Sequence, residues 1–107
     1  MSGIGKNMVN VLDKFTPTYD LERFKASDYE ITSTAICGAG ELGLNRRGIA
    51  EVVAMMTREH FYKSMTSYSD HKIWQDVYHV PYGDKRIYVK FTKGVIADFR
   101  LLSFKEK

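Results

Sequence analysis

The sequence predicts an α+β fold, with helices confined to the first 66 residues and packed on a small antiparallel sheet formed by the rest. Two observations carry this. Upstream, apolar residues recur at three- and four-residue spacing. Downstream, β-branched and aromatic residues dominate three runs separated by glycine-containing turns. With 107 residues, 44% hydrophobic and 27% charged, the chain suits one folded soluble domain spanning residues 1–107.

In chain order, Met8, Val11, Leu12 and Phe15 share a face of a short amphipathic helix over residues 6–15. Thr16 before Pro17 ends it, because the residue preceding proline is pushed out of the helical region. Thr18 is expected to cap a second short helix whose Leu21 and Phe24 share a face, with Asp20 and Glu22 suiting its dipole. Residues 29–34 alternate weakly, as an edge strand would. Residues 35–44 read as a helix in spite of three glycines. Asn45 then caps the best helix, with Ile49, Val52, Val53 and Met56 on one stripe. Thr57 is expected to cap a further helical piece over residues 58–66. There Phe61 and Met65 meet at helical spacing, whereas a strand would place Lys63 between them on the same face.

Residues 73–80, 86–92 and 95–104 then read as strands, joined by turns at Tyr82-Gly83-Asp84 and Lys93-Gly94. The middle strand alternates cleanly. Ile87, Val89 and Phe91 face one side, while Arg86, Tyr88, Lys90 and Thr92 face the other. The upstream helices are the available cover for the apolar side, which leaves the other face polar and basic.

Charge is distributed unevenly. Residues 1–57 hold six Lys/Arg against seven Asp/Glu, whereas residues 58–107 hold ten against six, with ten of the fourteen aromatics. Basic charge among aromatics points to a polyanion partner, although a sheet that simply uses aromatics and lysines has the same composition. The single Cys37 cannot form an internal disulfide, which fits a reducing cytoplasm. No run reaches membrane-spanning length, and the start lacks a basic-then-apolar signal segment.

The most informative stretch is residues 60–78, HFYKSMTSYSDHKIWQDVY. Tyr62, Tyr68, Trp74 and Tyr78 offer stacking faces, and Lys72, Arg86 and Lys90 could track a phosphate backbone. A core with a solvated rim would use the same residues. A dinucleotide fingerprint appears literally at Gly38-Ala39-Gly40-Glu41-Leu42-Gly43, but its preceding segment is polar and no parallel doubly wound sheet follows. His60, His71 and His79 with one cysteine show no zinc spacing, and the scattered carboxylates do not suggest a magnesium nuclease. His71 and His79 are the rival acid–base groups, because an unperturbed histidine side chain changes charge in the right range.

FYKSMTSYSDHKIWQDVY at 61–78, IYVK at 87–90 and the final SFKEK, with a looser GELGL at 40–44, resemble the MqsR family of bacterial toxin–antitoxin ribonucleases. The resemblance covers about residues 18–107, and the first sixteen residues do not match. It implies a RelE-like fold and places Lys63, Gln75, Tyr88 and Lys105 at the family's active-site positions. It further implies metal-independent cleavage of single-stranded mRNA without a cofactor, in the bacterial cytoplasm, neutralised by a cognate antitoxin. Ribosome-independent action around GCU-type triplets would follow from the same likeness. In such chemistry the ribose 2′-hydroxyl attacks the adjacent phosphorus, leaving a 2′,3′-cyclic phosphate and a 5′-hydroxyl. The reaction needs a proton acceptor, a proton donor and cations beside the phosphorane oxygens. Two lysines, a phenol and an amide form a coherent set, with Lys or Tyr as the base if its pKa is lowered. Two other classes use the same face: a non-catalytic RNA-binding module, and a protein whose sheet docks another chain.

Overall fold

The computed structural model describes residues 14–107, so the helix expected over residues 6–15 lies outside the described residues except for its last two positions. Helices α1 (Leu21–Ala26), α2 (Ser33–Glu41) and α3 (Arg46–Met55) accompany strands β1 (Glu30–Ile31), β2 (Phe61–Thr66), β3 (Trp74–Tyr82), β4 (Lys85–Lys93) and β5 (Phe99–Glu106). The strands form one sheet in the order β1-β5-β4-β3-β2. No helix of the described residues is long and apolar enough to cross a membrane.

The α+β class holds, but the sheet is mixed where an antiparallel one was expected. β1 runs parallel to β5, pairing Glu30 with Arg100 and Ile31 with Leu101. Its pairing continues one step into the cap of α2, where the Thr32 N–H donates to the Leu101 carbonyl at 3.1 Å. A two-residue strand carries too little pattern to reveal its direction. The remaining pairings, β2 with β3, β3 with β4 and β4 with β5, are antiparallel. Gly83, at φ 62°, makes the tight β3–β4 turn that other residues adopt only under strain.

One face of the sheet is apolar. Tyr78, Val80, Ile87, Val89, Phe91, Phe99, Leu101 and Phe104 share a buried cluster with Leu21, Phe24, Ala35, Ala39, Ile49, Val52, Val53 and Met56. Phe24 stacks flat on Phe91, with ring centroids 3.8 Å apart and planes within 4°. Burying one such ring stabilises the fold by about 1.5–3 kcal/mol. Asn45 caps α3 as expected, its side chain accepting from the Gly48 N–H at 3.0 Å.

Two local expectations are corrected. Asp20, not Thr18, caps α1, with its Oδ1 accepting from the N–H groups of Glu22 and Arg23. Thr18 is occupied elsewhere: its N–H donates to Asp76 Oδ1 at 3.0 Å, and its hydroxyl lies 2.8 Å from that of Ser64. The larger correction concerns residues 58–66. Only Arg58–His60 forms a helical turn, of the 3₁₀ type, and residues 61–66 are strand β2. The alternation argument failed because β2 contains a bulge. Phe61 pairs with Tyr78 and Lys63 with Val77, so two steps on β2 match one on β3 and Tyr62 is the extra residue. The bulge reverses the side-chain phase, leaving Phe61 toward the core and Lys63 on the opposite face.

Candidate active site

The open face of the sheet is built by two such bulges. On β5, Phe99 and Leu101 point into the core, and strict alternation would send Lys105 after them. The register instead passes from Phe91–Leu101 to Lys90–Ser103, making Leu102 an extra residue. Beyond it Phe104 takes the core position, while Ser103 and Lys105 face out. Thr32 fixes this bulge, its hydroxyl donating to the Leu102 carbonyl at 2.9 Å and accepting from the Ala35 N–H at 3.1 Å. One bulge in β2 and one in β5 thus aim Lys63 and Lys105 at the same face.

A row of rings lies across that face. His79 of β3 pairs with Tyr88 of β4, and Tyr88 pairs with Lys105 of β5. The bulged Tyr62 stacks on His79, with centroids 4.1 Å apart. The His79 and Tyr88 rings are 5.9 Å apart. An ammonium stands at each end: Lys63 Nζ is 5.5 Å from the Tyr62 ring and Lys105 Nζ is 5.2 Å from the Tyr88 ring. One register step along the sheet, Lys90 lies between Val77 and Ser103.

The electrostatics of the row follow from partial burial and from the cations. His79 titrates below its usual range, because burial penalises its charged form and Lys107, Arg86 and Lys63 oppose it. Lys90 is lowered by burial and then by Lys105. Tyr88 moves the other way, pushed up by burial and then by Tyr62. A phenol so shifted keeps its proton, which suits a donor rather than a base.

Of the residues predicted for catalysis, Lys63, Tyr88 and Lys105 fall on this face around one row. Gln75 shares the face but pairs with Met65 and Thr92, four residues along β3 from His79, or about 13 Å at strand rise. Of those predicted to contact RNA, Tyr62 is part of the row, and Arg86 and Lys90 border it. Tyr68 and Lys72 are exposed at the tip of the β2–β3 connection, where the Lys72 N–H donates to Asp70 Oδ1 at 2.9 Å. Two stacking assignments are corrected. Tyr78 is fully buried in the core, because its place in β3 gives it the phase of Val80. Trp74, half-buried, alternates away from Gln75 onto the opposite side, and its carbonyl accepts from Thr92 and Tyr19 hydroxyls.

Sequence reasoning held His79 only as a rival and left out Lys107. The signal for Lys107 was its spacing of two from Lys105 on a strand. Its N–H donates to the Arg86 carbonyl at 2.8 Å, and Lys85 pairs with Glu106 at 3.8 Å, so the two residues after Lys105 are tied to β4. Among the described residues no three His, Cys, Asp or Glu side chains gather as a metal-ligand set.

A small α+β protein with a cationic, ring-lined sheet face is the class that fold and site define. The chain belongs to the family described as "Motility quorum-sensing regulator, toxin of MqsA", whose family model matches residues 16–106. It is similar to a protein of Escherichia coli (strain K12) described as "mRNA interferase toxin MqsR", 42% identical over 100 residues that cover 90% of this chain and 100% of the relative.

Proposed function

We propose that this chain is an endoribonuclease toxin of a type II toxin–antitoxin system, cutting single-stranded mRNA without a metal or other cofactor. The observation that carries the reading is the placement of Lys63 and Lys105 at opposite ends of the Tyr62–His79–Tyr88 row. A phosphodiester laid over that row meets an ammonium on either side, which supplies the charge that a phosphorane needs.

In this mechanism His79, neutral near pH 7, accepts the proton of the ribose 2′-hydroxyl as its oxygen attacks phosphorus. The bond to the 5′-oxygen breaks, Tyr88 gives that oxygen a proton, and the products carry a 2′,3′-cyclic phosphate and a 5′-hydroxyl. Lys63 and Lys105 neutralise the non-bridging oxygens. Gln75, farther along the face, orients a neighbouring nucleotide, and Arg86, Lys90 and Lys107 hold the flanking backbone. Holding the 2′-oxygen in line with the leaving group supplies much of the acceleration.

The family description as toxin of MqsA and the relative's description as an mRNA interferase support this reading, together with an antitoxin that silences the protein in the bacterial cytoplasm. The helices and the five-stranded sheet fit a RelE-like architecture with N-terminal helices over the sheet. The test is incubation with a defined single-stranded RNA in EDTA. Cyclic-phosphate products, lost on Lys63→Ala and on Tyr88→Phe with the fold intact, are expected. RNA that is retarded but uncut would point to a binding module instead.

A further inference from the structure

A groove of about 370 Å³ runs between α2 and β5, lined by Ser33, Thr34, Cys37 and Glu41 on one wall and by Ser103 and Lys105 on the other. Its size reaches that of small-molecule sites. It exists because β1 pairs only with Arg100 and Leu101, so beyond them the edge of β5 is taken up by α2. Ala35 and Ala39 pack α2 into the core, while Ser33, Cys37 and Glu41, spaced by four, line the groove. Gly38 sets the width, since a Cβ there would overlap the Phe104 carbonyl oxygen, and Thr32 pins the start of α2 to Leu101 and Leu102.

The groove opens onto the ring row. Lys105 belongs to both, and Ser103 is paired with Lys90. A strand of RNA whose phosphate lies at Lys105 therefore has its next base at the groove mouth. Hydroxyls of Ser33, Thr34 and Ser103 can donate or accept, and Glu41 can only accept when ionised.

Resting on the ribonuclease reading, we infer that this groove is a base-selecting subsite. It seats the nucleotide next to the scissile phosphate, and Glu41 selects a base that presents an exocyclic amino group over uracil, which has none.

Cys37 makes the inference testable, being the chain's single cysteine and exposed on the groove wall. The full chain is mixed with a 2′-O-methyl oligonucleotide whose unmodified form it cleaves. Binding is followed by fluorescence anisotropy, and N-ethylmaleimide labelling of Cys37 by mass spectrometry. Labelling should slow by about tenfold once the oligonucleotide exceeds its Kd tenfold. E41Q should relax discrimination against uridine at one position of the cleavage site by about tenfold, other positions being unchanged. Binding with an unaltered labelling rate overturns the subsite and leaves the ribonuclease reading standing, as does an E41Q variant that slows every sequence equally. Failure to bind or cleave any oligonucleotide overturns both.

Discussion

The imidazole of His79 stacks on the phenol ring of Tyr62, 4.1 Å between centroids and 21° between planes. Tyr62 can reach that position only because it is the extra residue of the β2 bulge. The contact places a partly buried imidazole among cations. From β2 it meets Tyr62 and Lys63, from β4 Arg86 and Tyr88, and from the end of β5 Lys107. The first prediction follows from the sign of the shift. Because burial and these cations lower the His79 pKa, the base is lost only as pH falls through a value below the usual 6.5. The acid limb of kcat/KM, which reports the free enzyme, should have its midpoint below that of an ordinary histidine. His79→Gln should remove the limb and reduce kcat by about a hundredfold. An unchanged limb in that variant would take His79 out of the reaction.

The second prediction concerns the bulge in β5. Thr32→Val deletes the bond to the Leu102 carbonyl and the cap on Ala35. It should cost about 1–2 kcal/mol in urea unfolding. Lys105 would lose its fixed aim, so kcat should fall more than KM rises, and Thr32→Ser should restore both. A stability loss with unaltered kcat would show that the bulge holds without Thr32.

Much of the fold was legible in the sequence; the direction of the two-residue β1 and the Asp20 cap were not, and the remaining exceptions are ones of strand phase. Clean periodicity gave α3 and its Asn45 cap, and strict alternation gave the two faces of β4. Phase failed wherever a bulge intervened. Phe61 and Met65 looked helical because strand geometry without an extra residue would have put Lys63 on their face. No local residue pattern announces Tyr62 or Leu102 as extra, since neither position is a glycine. The same blindness to phase made Tyr78 look like a stacking residue, although its ring is sealed in the core. At the site, Lys63, Tyr88 and Lys105 were named through a family resemblance. The groove beside α2 was out of reach, because its walls are 60 residues or more apart in sequence.

Tyr78 supplies a third prediction. Its hydroxyl is buried with no hydrogen-bond partner among the described residues. Burial, with Asp76 adding to it, pushes its titration far up, so it stays neutral. Tyr78→Phe removes the unsatisfied group and keeps the ring contacts with Phe61 and Phe91. Stability should be unchanged or higher by about 1 kcal/mol, with RNA cleavage at the parent rate. A large loss of cleavage would return Tyr78 to the site.

Asp76, the neighbour of Gln75, has a structural task. Its buried carboxylate accepts from the N–H groups of Thr18 and Tyr19 and from the Ser64 hydroxyl, at 3.0, 2.8 and 2.7 Å. Asp76→Ala leaves three donors without their partner, so unfolding in urea should show a loss of about 3 kcal/mol. Near-parent stability would mean that the segment before α1 finds other partners.

The central claim is that the ring row, with an ammonium at each end, turns a ribose 2′-hydroxyl into the nucleophile of its own phosphodiester. The measurement that reaches it directly is cleavage of an oligoribonucleotide carrying a single 2′-deoxyribose immediately 5′ to the mapped cut, with end-group analysis by mass spectrometry. Cleavage at that bond should vanish, while the all-ribose strand yields a 2′,3′-cyclic phosphate and a 5′-hydroxyl. Continued cutting at the deoxyribose, or a 5′-phosphate on the downstream product, would contradict the mechanism.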